Sequence, residues 1–285
     1  MNFNIDFWSI NELGQRSGQE DCIYPAIGAG NPDNGLFIVC DGMGGHDKGE
    51  VASQAVCKAI SDYIDAHQSS DGSFNETDFN NALSYAYDAL DVLDDGAVKK
   101  MGTTMTFLKF HNSGCLIAHI GDSRIYHIRP SAPRGKRILH VTRDHSLVND
   151  LVAIGELTPE EAKTSRQKNI ITRAMQPCQE RRSRADVRQL TDVRPGDIFY
   201  MCTDGMLEQA EDIEIEDLLS DETLSEEQKV AKLIEQTQNN RDNHSAQIVR
   251  VKGQVGRKSN NVIWALLGVM LALSAVCFYI ASIYK

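Results

Sequence analysis

Two apolar runs end on the same dipeptide: Leu36 to Cys40 leads into Asp41-Gly42, and Ile198 to Thr203 leads into Asp204-Gly205. Both runs are too short for core helices and carry the β-branched and aromatic residues of buried strands. Each therefore delivers a carboxylate at a strand end, on a turn that glycine permits. Two further acids stand in similar places. Asp122 follows the apolar stretch Cys115 to Ile120, within Ile-Gly-Asp-Ser-Arg, and Asp242 precedes Asn243 and the short strand expected at Gln247 to Val251. Four such ends brought together make a site of hard oxygen ligands. Around Asp41 the sequence Asp41-Gly42-Met43-Gly44-Gly45-His46 lets the backbone come close to a ligand, so the Gly42 carbonyl can join the carboxylates. Magnesium and manganese favour such donors, whereas zinc and copper favour imidazole and thiolate.

The rest of the chain supports a packed fold around such a site. With 285 residues, 41% of them hydrophobic and 24% charged, it fits one large domain or two small ones. A formal net charge of -11 argues against a nucleic-acid surface, which normally shows a clustered basic face. The seven cysteines form no Cys-x-x-Cys pair and several lie inside apolar runs, which predicts reduced thiols with no zinc site and no disulfide framework.

Apolar residues at helical spacing predict helices over Lys48 to Ala66 and Phe79 to Leu93. Strands follow at Thr103 to Phe110, Cys115 to Ile120 and Arg124 to Ile128, joined by turns at His111-Asn112-Ser113-Gly114 and Gly121-Asp122-Ser123 that predict an antiparallel meander. From Ser146 two short helices flank Gly155, the second opening at Thr158-Pro159-Glu160-Glu161 with threonine as cap and proline in the first helical position. A strand over Asp197 to Thr203, helices near Ile213 to Leu219 and Ser225 to Gln238, and a last strand complete an α+β order.

No basic segment followed by an apolar core opens the chain, so no secretory signal is expected. Val262 to Tyr284 is a run of 23 uncharged residues, about 34 Å long as a helix, enough to cross a hydrocarbon core of about 30 Å. Arg250, Lys252, Arg257 and Lys258 precede it and Lys285 alone follows, which predicts a single-pass C-terminal anchor with the large N-terminal part in the cytoplasm. Residues 253–261 then form a polar linker after a catalytic domain over 1–252.

Upstream, Arg16-Ser17-Gly18-Gln19-Glu20-Asp21 sets a guanidinium, whose fork of donors suits phosphate oxygens, just before an acidic pair. Arg16-x-x-x-Glu20-Asp21, Asp41-Gly42-Met43-Gly44-Gly45, Gly102-Thr103-Thr104, Gly121-Asp122-Ser123-Arg124, Thr203-Asp204-Gly205 and Asp242-Asn243 occur in the order found in one enzyme family. Over residues 5 to 252 the chain resembles the metal-dependent Ser/Thr protein phosphatases of the 2C type (PPM family), in their bacterial short form.

The resemblance implies a four-layer α-β-β-α sandwich, two antiparallel sheets flanked by helix pairs, with two or three Mn2+ or Mg2+ ions in a cleft at one end. It implies that Asp41 bridges two ions, that Asp204 and Asp242 hold the first, and that Glu20 and the Gly42 carbonyl serve the second. Asp122 would help Asp204 hold a third, Asp21 would order the water, and Arg16 would bind the phosphoryl group. The flap of those enzymes matches about residues 143–168.

The reaction implied is hydrolysis of phosphoserine and phosphothreonine in proteins by a metal-bridging hydroxide, with a Ser/Thr kinase as natural partner. Many members carry histidine where this chain has Met43, so the proton donor to the leaving group is open. His46 is assigned to the loop behind the ligands, Arg124 to a supporting ion pair, Asn243 to the turn after Asp242, His145 to the flap, and Thr103 and Thr104 to a strand. The competing reading is a catalytically weak regulatory or scaffold module that keeps the sandwich and binds phosphoproteins. A nucleotide-using transferase is disfavoured because no Gly-x-x-x-x-Gly-Lys loop occurs.

Overall fold

A computed structural model of the chain describes residues 3–44 and 48–254. In chain order the first half contains β1 (Phe3–Glu12), β2 (Asp21–Tyr24), β3 (Leu36–Met43), α1 (Lys48–Ala66), α2 (Glu76–Val92), β4 (Gly102–Thr103), β5 (Met105–His111), β6 (Gly114–Ile120), β7 (Arg124–Ile128) and β8 (Ile138–Val141). The second half contains α3 (Leu147–Ala153), α4 (Pro159–Thr164), β9 (Asp186–Leu190), β10 (Ile198–Cys202), a 3-10 turn (Asp204–Leu207), α5 (Asp212–Leu219), α6 (Glu226–Thr237) and β11 (His244–Gln254).

The apolar runs become strands buried on both faces, and alternate residues feed two different cores. In β3, Phe37 and Val39 pack between the two sheets while Leu36, Ile38 and Cys40 pack under α1 and α2. In β10, Phe199 and Met201 face the same inter-sheet core, while Ile198, Tyr200 and Cys202 meet Ile215, Leu219 and Leu233 of α5 and α6. One sheet has the order β1-β11-β10-β7-β8 and the other β2-β3-β5-β6-β9, with β4 added to β3. All of their pairings are antiparallel. Two sheets stacked over one core with helix pairs outside them form the expected α+β sandwich.

The same alternation builds the site. Asp41 continues the inter-sheet parity of Phe37 and Val39, and Asp21, its register partner in β2, continues that of Ile23. At one end of the sandwich the inward positions thus change from apolar residues to acids.

Two turn assignments are corrected. Asp41-Gly42 does not end β3: the strand runs on to Met43, with Gly42 opposite Thr103 and Met43 opposite Gly102. A Cβ on residue 42 would strike the carbonyls of Gly49 and Glu20, so glycine is required there by close packing. Likewise His111 to Gly114 closes a hairpin, but Gly121-Asp122-Ser123 does not, because β6 and β7 lie in different sheets. The link crosses the sandwich, with Gly121 at φ +105° and pressed on Thr104, and leaves Asp122 at the rim between the sheets.

The expected transmembrane helix at 262–284, the linker beyond residue 254 and His46 lie outside the described residues. Among the described residues no helix is long and apolar enough to cross a membrane.

Candidate metal centre

Five aspartates from separate segments converge on the acid-lined end of the sandwich. Asp41 is repelled by Asp21, Asp204, Asp122 and Asp242, and it shares a side-chain hydrogen bond with Asp204. Burial, reinforced by that repulsion, holds the Asp41 carboxyl well above the usual carboxylate range. Asp21 and Asp122 are pushed up to about 7, first by burial and then by neighbouring charge, notably Asp204 in both cases. Asp204 is raised by burial and by Asp242.

Such a cluster is costly without compensating positive charge. Asp21 Oδ1 and Asp122 Oδ1 are buried without any hydrogen-bond partner. Clustered carboxylates, two of them with an orphaned oxygen, beside a backbone carbonyl are the donor set of a hard divalent cation, so these residues fit Mn2+ or Mg2+.

The surrounding loops are fastened to each other across the chain. Glu20 donates its amide to Asn243 Oδ1 at 2.8 Å, and its carbonyl accepts the Gly42 amide at 3.1 Å and the Ser53 hydroxyl at 2.6 Å. A Cβ on Gly49 would come within 2.8 Å of the Glu20 carboxyl carbon, so glycine there leaves that side chain its room. Asn243 does more than turn the chain: its amide nitrogen also holds the carbonyls of Leu13 and Gly18, at 2.8 and 3.0 Å. Arg16 places Nη2 2.6 Å from Asp242 Oδ2 and is half exposed.

Four hydroxyls that sequence reasoning treated as ordinary strand or loop residues support the acids. Thr104 Oγ1 accepts the Asp41 amide at 3.0 Å and shares a 2.7 Å bond with Ser123. Thr103 Oγ1 donates to the Asp41 carbonyl at 2.9 Å, and Thr203 Oγ1 donates to Asp21 Oδ2 at 3.0 Å.

Behind Asp122, Arg124 grips Asp144 through Nε and Nη2 at 2.7 and 2.8 Å, a forked pair that ties the root of the flap to the Asp122 crossover. His145, the next residue, exchanges bonds with Gly121: its amide donates to the Gly121 carbonyl and its Nδ1 accepts the Gly121 amide.

Among the described residues, the His/Cys/Asp/Glu group whose ligand atoms all lie within 4.8 Å of one another is His119, His145 and Asp186. Arg173 already supplies its cation, 2.9 Å from Asp186 and 3.2 Å from His145 Nε2. The guanidinium of Arg173, facing His145 Nε2, takes the place that a metal ion would need there. The carboxylate cluster is the better candidate.

A family model described as protein phosphatase 2C matches residues 26–251. The chain belongs to that family. Protein phosphatase PhpP of Streptococcus pneumoniae is 33% identical over 223 residues, covering 74% of this chain and 82% of its own length. The serine/threonine phosphatase stp of Listeria welshimeri is 32% identical over 211 residues, covering 70% and 78%.

Among solved structures, the Mycobacterium tuberculosis serine/threonine phosphatase PstP/Ppp matches with a TM-score of 0.71 at 27% identity, over 87% of this chain and 99% of the other. The catalytic domain of PstP in complex with two manganese ions matches with a TM-score of 0.67 at 27% identity, over 87% and 98%. The family comprises serine/threonine protein phosphatases, enzymes that take manganese or magnesium.

Proposed function

We propose that the chain is a membrane-anchored phosphatase that hydrolyses phosphoserine and phosphothreonine in proteins, with its catalytic domain, residues 1–252, in the cytoplasm. The observation that carries the hydrolase reading is the convergence of Asp21, Asp41, Asp122, Asp204 and Asp242, with two buried carboxylate oxygens lacking any partner. A silent scaffold module has no need for such a cluster.

Asp41, which stands among all the other acids, would be a ligand to more than one ion. Asp204 and Asp242 would hold the first ion, Glu20 and the Gly42 carbonyl the second, and Asp122 with Asp204 a third. When bound, the ions lower the pKa of water and neutralise the charge that a phosphate monoester brings.

The protein side chains orient and bind. Asp21 keeps Oδ2 on Thr203 and presents Oδ1 to the attacking water. Arg16, exposed, exchanges Asp242 for a phosphoryl oxygen and stabilises the charge that develops there. Met43 has no proton to give, and a water could fill the role of acid to the leaving alkoxide.

The anchor reading rests on the uncharged run Val262 to Tyr284 and its basic N-terminal flank. Tethering concentrates the enzyme near membrane-bound phosphoproteins, and a Ser/Thr kinase is its natural counterpart.

The test is phosphate release from a phosphothreonine peptide, comparing wild type with Asp204→Asn in Mn2+ and in chelator. Wild type with Mn2+ should turn over, and chelation or the substitution should remove activity. Activity that survives both contradicts the reading. In a vesicle flotation assay the full chain should float and a chain ending before Val262 should not.

A further inference from the structure

One stretch of this acidic chain is basic. Between residues 163 and 188 there are eight Lys and Arg and two acids, in a protein whose formal net charge is -11. Lys163, Arg173 and Arg182 are paired with carboxylates. Arg166, Lys168, Arg181, Arg184 and Arg188 are exposed and form no ion pair among the described residues. Exposed cations left without partners in a protein so rich in acids form a patch with unused attraction for anions.

The stretch follows the rim of the metal centre. Its flap end is sewn to the site's base by the bridge between Ser146 and Ile171 and by the Leu147 amide on the Ile170 carbonyl. Midway, Met175 exchanges both backbone hydrogen bonds with Thr103, whose hydroxyl holds the Asp41 carbonyl. Gln176 packs 3.0 Å from the place a Cβ on Gly102 would take, and Met43 lies 3.3 Å from the same point. Beyond it, the Cys178 amide donates to Asp91 and the Tyr87 hydroxyl to the Ser183 carbonyl, which lays the chain along α2. The unpaired cations therefore stand on both sides of a segment one residue away from the central acid: Arg166 and Lys168 towards the flap, Arg181 and Arg184 towards α2.

We propose that this basic rim is a docking surface for acidic residues flanking the phosphorylated serine or threonine of a protein substrate. The inference rests on the phosphatase reading and adds a substrate class to it. Carboxylates near the phosphate are repelled by the protein as a whole, and the rim provides the local opposite charge that steers them in and fixes their direction across the cleft. Exposed charge pairs act mainly on encounter and binding, so the preference is expressed in KM and fades with salt.

The experiment compares two phosphothreonine peptides that differ only in flanking Glu or flanking Asn, with p-nitrophenyl phosphate as a substrate too small to reach the rim. The proteins are wild type, Arg166→Glu/Lys168→Glu and Arg181→Glu/Arg184→Glu, all with Mn2+. Wild type should favour the acidic peptide by about tenfold in kcat/KM at low salt, through KM, and should lose most of that preference near 0.5 M salt, where the screening length is only a few ångströms. Each double variant should lower kcat/KM for the acidic peptide by about tenfold while hydrolysis of p-nitrophenyl phosphate is unchanged. Equal rates on both peptides with wild type, or a preference that survives both charge reversals, overturns the docking surface alone. Failure to hydrolyse any of the three substrates overturns the phosphatase reading with it.

Discussion

Removing a buried charge from the acid cluster should make the metal-free protein more stable while abolishing its activity. Asp122 is 8% exposed, its Oδ1 has no partner, and burial followed by repulsion from Asp204 and Asp144 pushes its carboxyl up to about 7. An unfolded aspartate titrates near 3.9, so keeping Asp122 ionised costs the folded state about 4 kcal/mol relative to the unfolded chain, at 1.36 kcal/mol per tenfold.

The direction follows from linkage. A folded value above the unfolded one means the folded protein holds the proton between about pH 4 and 7, so stability falls as pH rises through that window. Asp122→Asn removes the charge but leaves an amide as short of partners as the carboxyl, which returns part of the gain and leaves about 1–3 kcal/mol. For a domain of this size, at about 2–4 °C per kcal/mol, that raises Tm by about 2–12 °C. Calorimetry in chelator at pH 8 should show the increase, and at pH 5, where Asp122 is itself neutral, most of it should vanish. Activity with Mn2+ should be lost at pH 8. A variant that melts lower than wild type at pH 8, or by the same margin at both pH values, would refute the electrostatic argument.

Two further substitutions probe the supports of the cluster. Arg124→Lys keeps the charge but loses the fork on Asp144, and should cost about 2 kcal/mol in thermal or denaturant unfolding, together with a larger Mn2+ requirement for activity. Thr104→Val keeps the β-branched shape but leaves the Asp41 amide and the Ser123 hydroxyl without a partner. Chemical denaturation should register a loss of about 1–3 kcal/mol, and Thr104→Ser should recover most of it.

What could be read from sequence followed burial on both faces. β3, β6 and β10 are uninterrupted apolar runs because each residue enters one core or another. Strands β8 and β9 escaped notice because they lie at sheet edges: Asp186-Val187-Arg188-Gln189-Leu190 alternates with exposed polar residues and is too short for a clear period. The flap helix α4 was legible from local chemistry, since Thr158 and Glu161 form a complete capping box.

Asp41-Gly42 was misread for a local reason. Asp-Gly usually turns a chain, and the crowding that demands glycine at 42 comes from Gly49 and Glu20, one of them more than twenty residues away. The hydroxyls of Thr103, Thr104 and Thr203 have the composition of any strand, and only the fold brings them to Asp41 and Asp21. Asp144 and Gly49 likewise carried no sequence signal beyond their neighbours.

The central claim is that the converging carboxylates form a divalent-metal centre. Calorimetric titration of the chelator-stripped full chain with Mn2+ tests it directly, with Asp41→Asn as comparison. The account predicts at least two ions bound per wild-type chain, with proton release near pH 6 as the raised carboxyls ionise, and loss of the tightly bound ions when Asp41 is replaced. A wild-type chain that binds no Mn2+, or an Asp41→Asn chain that binds it with unchanged number and affinity, would contradict the account.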